Sequence, residues 1–295
     1  MTLSACIQSF RLRTLPLSMS GIILGGGLAY HYLTANQTFC LTHYCLVFFL
    51  ALLTTLSLQI LSNLSNELGD ADHGTDDGQD ARVAYGLQSG AITYKEMKML
   101  IRLFVGLCIV FGTELVWTAF GTLLSVRSVV FLGLGLLAII GSMTYTLGKY
   151  NYGYHGFGDL GVFLFFGLLS TMGSFYLQTY TLTTDALLSA VAIALPIVGV
   201  LNLNNIRDMD NDRAHGKHTF AGWLGKKGGK IYHTCLIVCS LVIFTCLGHY
   251  LTLLALPVLI WHLIYIWRHE DGMLDRQMPV LMFTSIALAI LAAIM

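Results

Sequence analysis

The sequence predicts an all-α integral membrane protein that crosses the bilayer about nine times. Three observations lead there. Of the 295 residues, 56% are hydrophobic and only 11% are charged, whereas a soluble domain carries about a quarter charged residues. Apolar runs of the length needed to cross the hydrocarbon core, about 20 residues each, recur along the whole chain. Backbone groups in lipid must be satisfied within their own segment, which leaves helices as the form for such runs.

The runs fall near 15–35, 41–65, 98–122, 128–147, 159–179, 185–204, 231–250, 252–268 and 278–295. The first begins directly after a short basic stretch, and no cleavable signal pattern precedes it. The glycines of "GIILGGG" in the first run and "FLGLGLL" in the fourth suit close helix packing. The second and sixth end in dense polar segments, taken up below. Seven cysteines lie mostly within or beside the runs, with no C-x-x-C pair. They read as small apolar packing residues. Together the runs make one membrane domain, 1–295.

Charge position sets the orientation. With nine spans, one face holds the N-terminus and the loops after spans two, four, six and eight. Fifteen of the 16 Lys and Arg fall on that face, with Arg127 alone opposite. Positive residues stay cytoplasmic, so the N-terminus is expected inside and the C-terminus outside. The acids share the bias, the exceptions being Glu114 and Asp185. The zero net charge thus hides a crowded rim of both signs. It gives no footing for a nucleic-acid partner and places the chemistry at the cytoplasmic ends of the helices.

Two segments of that rim repeat each other. "NLSNELGDADHG" (63–74) and "NIRDMDNDRAHG" (205–216) align on Asn63 and Asn205, Asn66 and Asp208, Asp70 and Asp212, His73 and His215, Gly74 and Gly216. On a helix, Asn63, Asn66 and Asp70 lie within about 60° of one face, and the second set repeats that spacing. Two helix ends on one side of the membrane can therefore present converging carboxylates. Oxygen donors of this kind suit Mg²⁺, which binds carboxylates together with phosphate oxygens. Arg82, Lys149, Arg207, Arg213 and Lys217 lie among the acids. A diphosphate bridged by Mg²⁺ to the carboxylates and capped by these cations would use both signs. A solvated loop would explain one acidic cluster. Two in matching register, where a charge near bilayer depth costs roughly 2.5–3.5 kcal/mol, point to a shared task. His73 and His215 read as loop residues beside an oxygen site.

Other acid motifs fit less well. "DDGQD" matches D-D-x-x-D of soluble chain-elongating prenyl synthases, but this chain is not soluble. "DGQDAR" opens like the signature of membrane CDP-alcohol phosphotransferases, yet Ala91, Lys95 and Met99 stand where that signature continues with Gly, Asp and Asp. No P-loop or zinc motif is present.

Four segments then carry a resemblance: "RLRTLPLS", "ILSNLSNELGDADHGTD" with "GLQSGAIT", "YTLGKYNYGYHGFGDLGVFLFFG", and "LNLNNIRDMDNDRAHGKHT". In order and spacing they resemble the UbiA superfamily of intramembrane aromatic prenyltransferases. "GLQSGAIT" and "YGYHGFGD" point to the branch that uses 1,4-dihydroxy-2-naphthoate. The resemblance implies nine helices around a central cavity, with a first acidic motif at 63–76 and a second at 204–212. It implies Mg²⁺ and transfer of a polyprenyl chain from its diphosphate to the naphthoate, with loss of CO₂ and diphosphate, to give demethylmenaquinone. The setting is the bacterial cytoplasmic membrane, with the site facing the cytoplasm and membrane lipid around it.

Carried over by position, Asn66, Asp70 and Asp76 bind metal and diphosphate, with Asn63 a turn earlier and Asp72 the alternative to Asp76. Asp208 and Asp212 form the second motif, with Asn204 or Asn205 beside them. Arg11, Lys149, Arg207 and Lys217 are the diphosphate-side cations. Tyr145 and Tyr154 face the allylic cation or the aromatic acceptor, or else belong to the interfacial aromatic belt. Glu67 stands where the family has Asp, and "GKYNY" lacks the prolines of the family's G-P-K-P-like stretch. The rival readings are a different aromatic acceptor, 4-hydroxybenzoate or homogentisate, and a cation-coupled transporter, whose sites usually lie at the midplane.

Overall fold

The computed structural model describes residues 2–74 and 86–295, the side chain of Asp271 excepted. Among the described residues nine helices are long and apolar enough to span a membrane. They are α1 (Leu3–Ala35), α2 (Leu41–His73), α3 (Tyr94–Phe120), α4 (Val126–Thr144), α5 (Gly158–Thr179), α6 (Thr184–Arg207), α7 (Phe220–Cys246), α8 (Tyr250–Arg268) and α9 (Gly272–Ala293). The protein is an all-helical membrane protein. α6 is the most enclosed, with 72% of its apolar window buried, against 22% for α4. α6 packs along α7, α2 along α3, and α1 between α9 and the C-terminal part of α5.

The helices outrun the apolar runs where polar residues find partners. α2 continues past residue 65 to His73 and stops at Gly74, whose φ of 67° ends the helix. α7 begins at Phe220 rather than near 231, through the charged "GWLGKKGGK", and bends at Gly225 (φ 71°, ψ 170°). α1 begins at Leu3 and breaks where Arg11 turns left-handed (φ 50°) ahead of a short turn at Leu12–Thr14. Mid-chain, α5 widens over Phe163–Leu169. The cysteines depart from expectation: Cys6 and Cys108 are buried, while Cys40, Cys45, Cys235, Cys239 and Cys246 are exposed. On a lipid-facing surface a small apolar side chain needs no protein neighbour.

Lipid supplies no hydrogen bonds, so polar groups inside the bundle must pair with each other. Pro196, inside α6, cannot donate to the Ala192 carbonyl one turn back. The Ser240 hydroxyl of α7 donates to that carbonyl instead, at 2.7 Å. Asn202 donates to the Gly229 carbonyl at 3.1 Å, a second α6–α7 stitch. His233 of α7 meets His262 of α8 at 3.0 Å, and His262 meets Gln277 of α9 at 2.8 Å. Replacing Ser240 with Ala is expected to lower stability by about 0.6–1.7 kcal/mol, the range for such bonds in membranes. The double variant Pro196→Ala/Ser240→Ala should recover most of that loss, because residue 196 regains its amide donor. Thermal unfolding in detergent checks both; equal instability of the two variants would contradict the account.

Candidate active site

A cavity of about 470 Å³ runs into the bundle, lined by α1–α6, α9 and Lys217. Its inner wall is one stripe of α2: Ala51, Thr54, Thr55, Leu58, Gln59, Ser62, Asn63, Asn66 and Asp70. The steps of three and four residues keep these side chains on one helix face. Along that stripe the lining turns from apolar to amide to carboxylate, so the cavity is polar at the charged face and greasy below.

The polar end is held by hydrogen bonds that fix the chain's N-terminal elbow. Asn63 Nδ2 donates to the Phe10 carbonyl at 2.8 Å and to Thr14 Oγ1 at 3.0 Å. Gln59 Nε2 donates to Asn63 Oδ1 at 3.1 Å and to Thr14 Oγ1 at 3.3 Å. These bonds bracket Arg11 from both sides and set it on the cavity wall. A turn further on, Thr146 donates to the Ser65 carbonyl at 3.0 Å and to Asn66 Oδ1 at 3.2 Å. Close approach is possible here because residue 69 is glycine: a Cβ there would lie 2.6 Å from Thr146. Glu67 turns away from the cavity, is buried, and accepts the Leu87 amide at 2.7 Å. It therefore anchors the "GLQSG" segment and is not among the donors facing the cavity.

The second motif arrives by a break in the helix. α6 ends at Arg207, Asp208 adopts φ −95° and ψ 2°, and a short helix, Met209–Ala214, follows. Arg207 grips the Asp208 carboxylate with two nitrogens, Nε to Oδ1 at 2.7 Å and Nη2 to Oδ2 at 2.8 Å. It also donates to Asn204 Oδ1 at 2.6 Å and pairs with Asp275. Asp212 is buried and faces Lys217 Nζ at 3.4 Å.

Tyr154 joins the two motifs. Its hydroxyl donates to Asp70 Oδ1 at 2.9 Å, and Lys217 Nζ stands 5.4 Å from its ring centre. Its carbonyl accepts the His218 amide at 2.9 Å, next to an isolated bridge between His155 and His218. A chain of contacts thus runs Asp70, Tyr154, Lys217, Asp212. His73 stacks near Tyr154 at 4.7 Å and meets Asn151 Nδ2 at 3.1 Å.

Tyr145 and Tyr152 line the cavity beside this chain, edge to face at 5.3 Å. Glycines make the room: a Cβ at Gly153 or Gly158 would lie within 2.9 Å of Tyr145, and one at Gly161 would lie 2.6 Å from the Tyr152 ring. Burial, then the charges of Asp159, Tyr152, Asp70 and Asp212, pushes the Tyr145 phenol well above its ordinary value. Burial lifts Tyr152 to about 12. Both phenols stay neutral at physiological pH.

Of the residues expected from sequence, Arg11, Asn63, Asn66, Asp70, Tyr145 and Lys217 line the cavity. Tyr154 and Asp212 are buried and reach it through Asp70 and Lys217, and Asp208, also buried, through Arg207 and Asn204. Three more of the expected residues stand off the cavity wall. Asn204 lines the cavity, whereas Asn205 is 2% exposed and buried away from it. One step along a helix is about 100°, so the two cannot share a face. Arg207 is committed to Asp208, Asn204 and Asp275, which makes it a support for the second motif. Lys149 is exposed and lies 5.9 Å from the ring centre of Tyr150, off the cavity wall. Asp76 and Arg82 lie outside the described residues; Asp72 is exposed. Sequence reasoning missed Thr14, Gln59 and Thr146. A glutamine inside an apolar run, costly unless partnered, was the available signal for the second. Among the described residues, no three of His, Cys, Asp and Glu come together closely enough to hold a metal by themselves.

Comparison with known proteins agrees with this geometry. Residues 19–287 match the UbiA prenyltransferase family. The chain is 41% identical to the 1,4-dihydroxy-2-naphthoate octaprenyltransferase of Escherichia coli, over 93% of this chain and 88% of that protein. It is 38% identical to the protein of the same name from Haemophilus influenzae, over 90% of this chain and 86% of that one. In fold it is similar to a UbiA homologue from Aeropyrum pernix, with TM-score 0.63, 17% identity, and coverage of 97% of this chain and 98% of that one. It is likewise similar to a UbiA homologue from Archaeoglobus fulgidus solved with GPP and Mg²⁺, with TM-score 0.62, 13% identity, and coverage of 98% and 99%. With the matched region spanning α2–α8 and parts of α1 and α9, and with both acidic motifs inside it, the chain belongs to the UbiA prenyltransferase family.

Proposed function

We propose that the chain transfers a polyprenyl group from its diphosphate to 1,4-dihydroxy-2-naphthoate in menaquinone synthesis. One observation supports this above others: a single cavity with cations and acids at its mouth and an apolar floor running deep into the membrane. That shape suits a ligand with an anionic head and a long hydrocarbon tail. Full-length relatives at 41% and 38% identity bear the naphthoate activity in their names. The charged face is the cytoplasmic one, in a bacterial inner membrane.

The reaction breaks the allylic C–O bond, and negative charge gathers on the departing diphosphate. Arg11 and Lys217, fixed by Asn63 on one side and by Asp212 on the other, stand where that charge develops. Tyr145, kept neutral, offers the allylic cation a ring face and a phenol that does not trap it as a phenolate would. The ring carbon bearing the carboxylate then forms the new C–C bond. The C–COO⁻ bond breaks, CO₂ leaves, and its electron pair restores aromaticity, so no oxidant is needed.

A divalent cation fits the donor set. Asn66 and Asp70 on one motif and Asp208 and Asp212 on the other offer oxygen, as Mg²⁺ prefers, and would hold it only together with the oxygens of the diphosphate. Bound there, Mg²⁺ supplies charge neutralisation of the leaving group.

Membranes given a prenyl diphosphate, Mg²⁺ and carboxyl-labelled naphthoate should release labelled CO₂ in step with prenylated product, and excess chelator should stop both. Prenylation of 4-hydroxybenzoate with its carboxylate kept, and no use of the naphthoate, would overturn the acceptor assignment. Asp70→Ala and Lys217→Ala should each lower kcat/KM by at least about 100-fold, in line with losing one preorganised charge contact, while Lys149→Ala costs less. Equal losses at Lys149 and Lys217 would mean that the cavity is not the diphosphate site. In a cysteine-free background, Leu124→Cys in intact cells should react with a membrane-impermeant maleimide and Lys227→Cys should not; the reverse pattern would invert the orientation.

A further inference from the structure

Three His–Gly pairs lie on the charged rim: His73–Gly74, His155–Gly156 and His215–Gly216. Each histidine directs Nδ1 to the carbonyl four residues back, at 2.7, 2.9 and 2.9 Å. Each glycine then turns left-handed, with φ of 67°, 84° and 72°. A carbonyl can only accept, so Nδ1 carries the hydrogen in all three and Nε2 is left as an acceptor. Ending a helical turn accounts for that much. It does not account for Nε2 of His73, which accepts from Asn151 Nδ2 at 3.1 Å. Among the described residues, Nε2 of His155 and Nε2 of His215 make no such contact.

Asn151 is buried and belongs to the loop that carries Tyr154. Its carbonyl accepts the Tyr154 amide at 3.0 Å and Nδ1 of His155 at 2.9 Å. α2 and this loop are therefore joined by two rungs, Asp70 to Tyr154 and His73 to Asn151. The partners stand three residues apart on each side, and three residues along α2 keeps both on one face. The His73 ring also packs on Tyr154, with centres 4.7 Å apart and planes tilted by 36°. A tyrosine held by its hydroxyl alone can swing about that bond. The second rung fixes the backbone of the loop, and the imidazole limits the swing of the phenol ring. We propose that His73 and Asn151 are a positioning pair: their bond sets the Tyr154 hydroxyl on Asp70 and so places the first-motif carboxylate for the donor's diphosphate. The proposal rests on the prenyl-transfer reading above. Neither residue lines the cavity, and both act through Tyr154.

The test uses purified protein in lipid nanodiscs with Mg²⁺. Two quantities are read: turnover of farnesyl diphosphate with the naphthoate, and binding of farnesyl thiolodiphosphate, an analogue that resists ionisation. An asparagine amide nitrogen overlays Nδ1 of histidine, and a glutamine amide oxygen reaches the place of Nε2. His73→Asn therefore keeps the bond to Gly69 and drops the rung, whereas His73→Gln keeps the rung and drops the bond to Gly69. His73→Asn should lower kcat/KM for the diphosphate by about tenfold, the low end for a side chain that supports a ligating group. Analogue binding should weaken to match, with KM for the naphthoate within about twofold. His73→Gln should stay within about threefold of the unaltered chain, as a hydrogen bond exchanged for its like. Asn151→Ala should match His73→Asn, and the double variant should be no worse than either alone. Asn151→Ala also carries the test if His73→Asn does not fold. His215→Asn, at the matched position of the second motif, should change either quantity by no more than about twofold. If His73→Gln loses as much as His73→Asn, or if His73→Asn loses nothing, the ring is a helix cap and the pair positions nothing. An equal rise in KM for the naphthoate would overturn the assignment to the first motif. If the unaltered chain binds the analogue without prenylating the naphthoate, the transfer reading fails while the binding series still judges the pair. If it does not bind the analogue, both fail.

Discussion

The hydrogen bond from the Tyr154 hydroxyl to Asp70 is the contact on which the site depends. Asp70 comes from the end of α2 and Asp212 from beyond the end of α6, and nothing in the packing of those two helices brings their carboxylates together. Tyr154 does so by holding Asp70 with its hydroxyl, lying under Lys217 with its ring, and bonding the His218 amide with its carbonyl. Each motif is also tied to the bundle from outside: the first by Asn63 to the N-terminal elbow, the second by Arg207 to Asp208 and Asp275. The acids are thus placed by partners chosen from four separate segments. Such over-determination gives each carboxylate a fixed partner of its own.

Water's absence from the bilayer shapes the rest. Several polar groups within the spans answer to one another: Ser240 to the carbonyl that Pro196 abandons, Asn202 to Gly229, His233 to His262 and on to Gln277. These pairs sit mainly in the C-terminal half, which contributes little to the cavity wall. The N-terminal half carries the stripe of α2 and the glycine-lined tyrosines. One half of the bundle is braced, and the other is hollow.

Much of this was legible in the chain. The spans could be read because hydropathy in a membrane protein is nearly a length measurement. The α2 donors could be read because helical periodicity fixes which side chains share a face. Rotation of α6 could not: Asn204 and Asn205 are chemically identical, and only packing against α7 decides which meets the cavity. Lys149 misled because a charge near the right motif says nothing of which way its loop turns. Gln59 and Thr14 are separated by 45 positions and act as one unit only after the elbow folds back onto α2. The start of α7 was hidden because a helix rich in lysine does not look like a span, although its cations sit where the chain leaves the bilayer.

The elbow makes the first segment of α1 a lever. Leu3 and Ile7 point outward at 77% and 42% exposure, while Ala5, Cys6 and Ser9 are buried against the bundle. The segment is thus a short amphipathic strut, apolar outward and packed inward. Its far end is pinned at Phe10 and Thr14 by Asn63, with Arg11 between the pins. The guanidinium of Arg11 is therefore held in place from both sides. One asparagine of α2 thus ties the approach of the N-terminal segment to the wall of the cavity, so the two cannot be shifted independently.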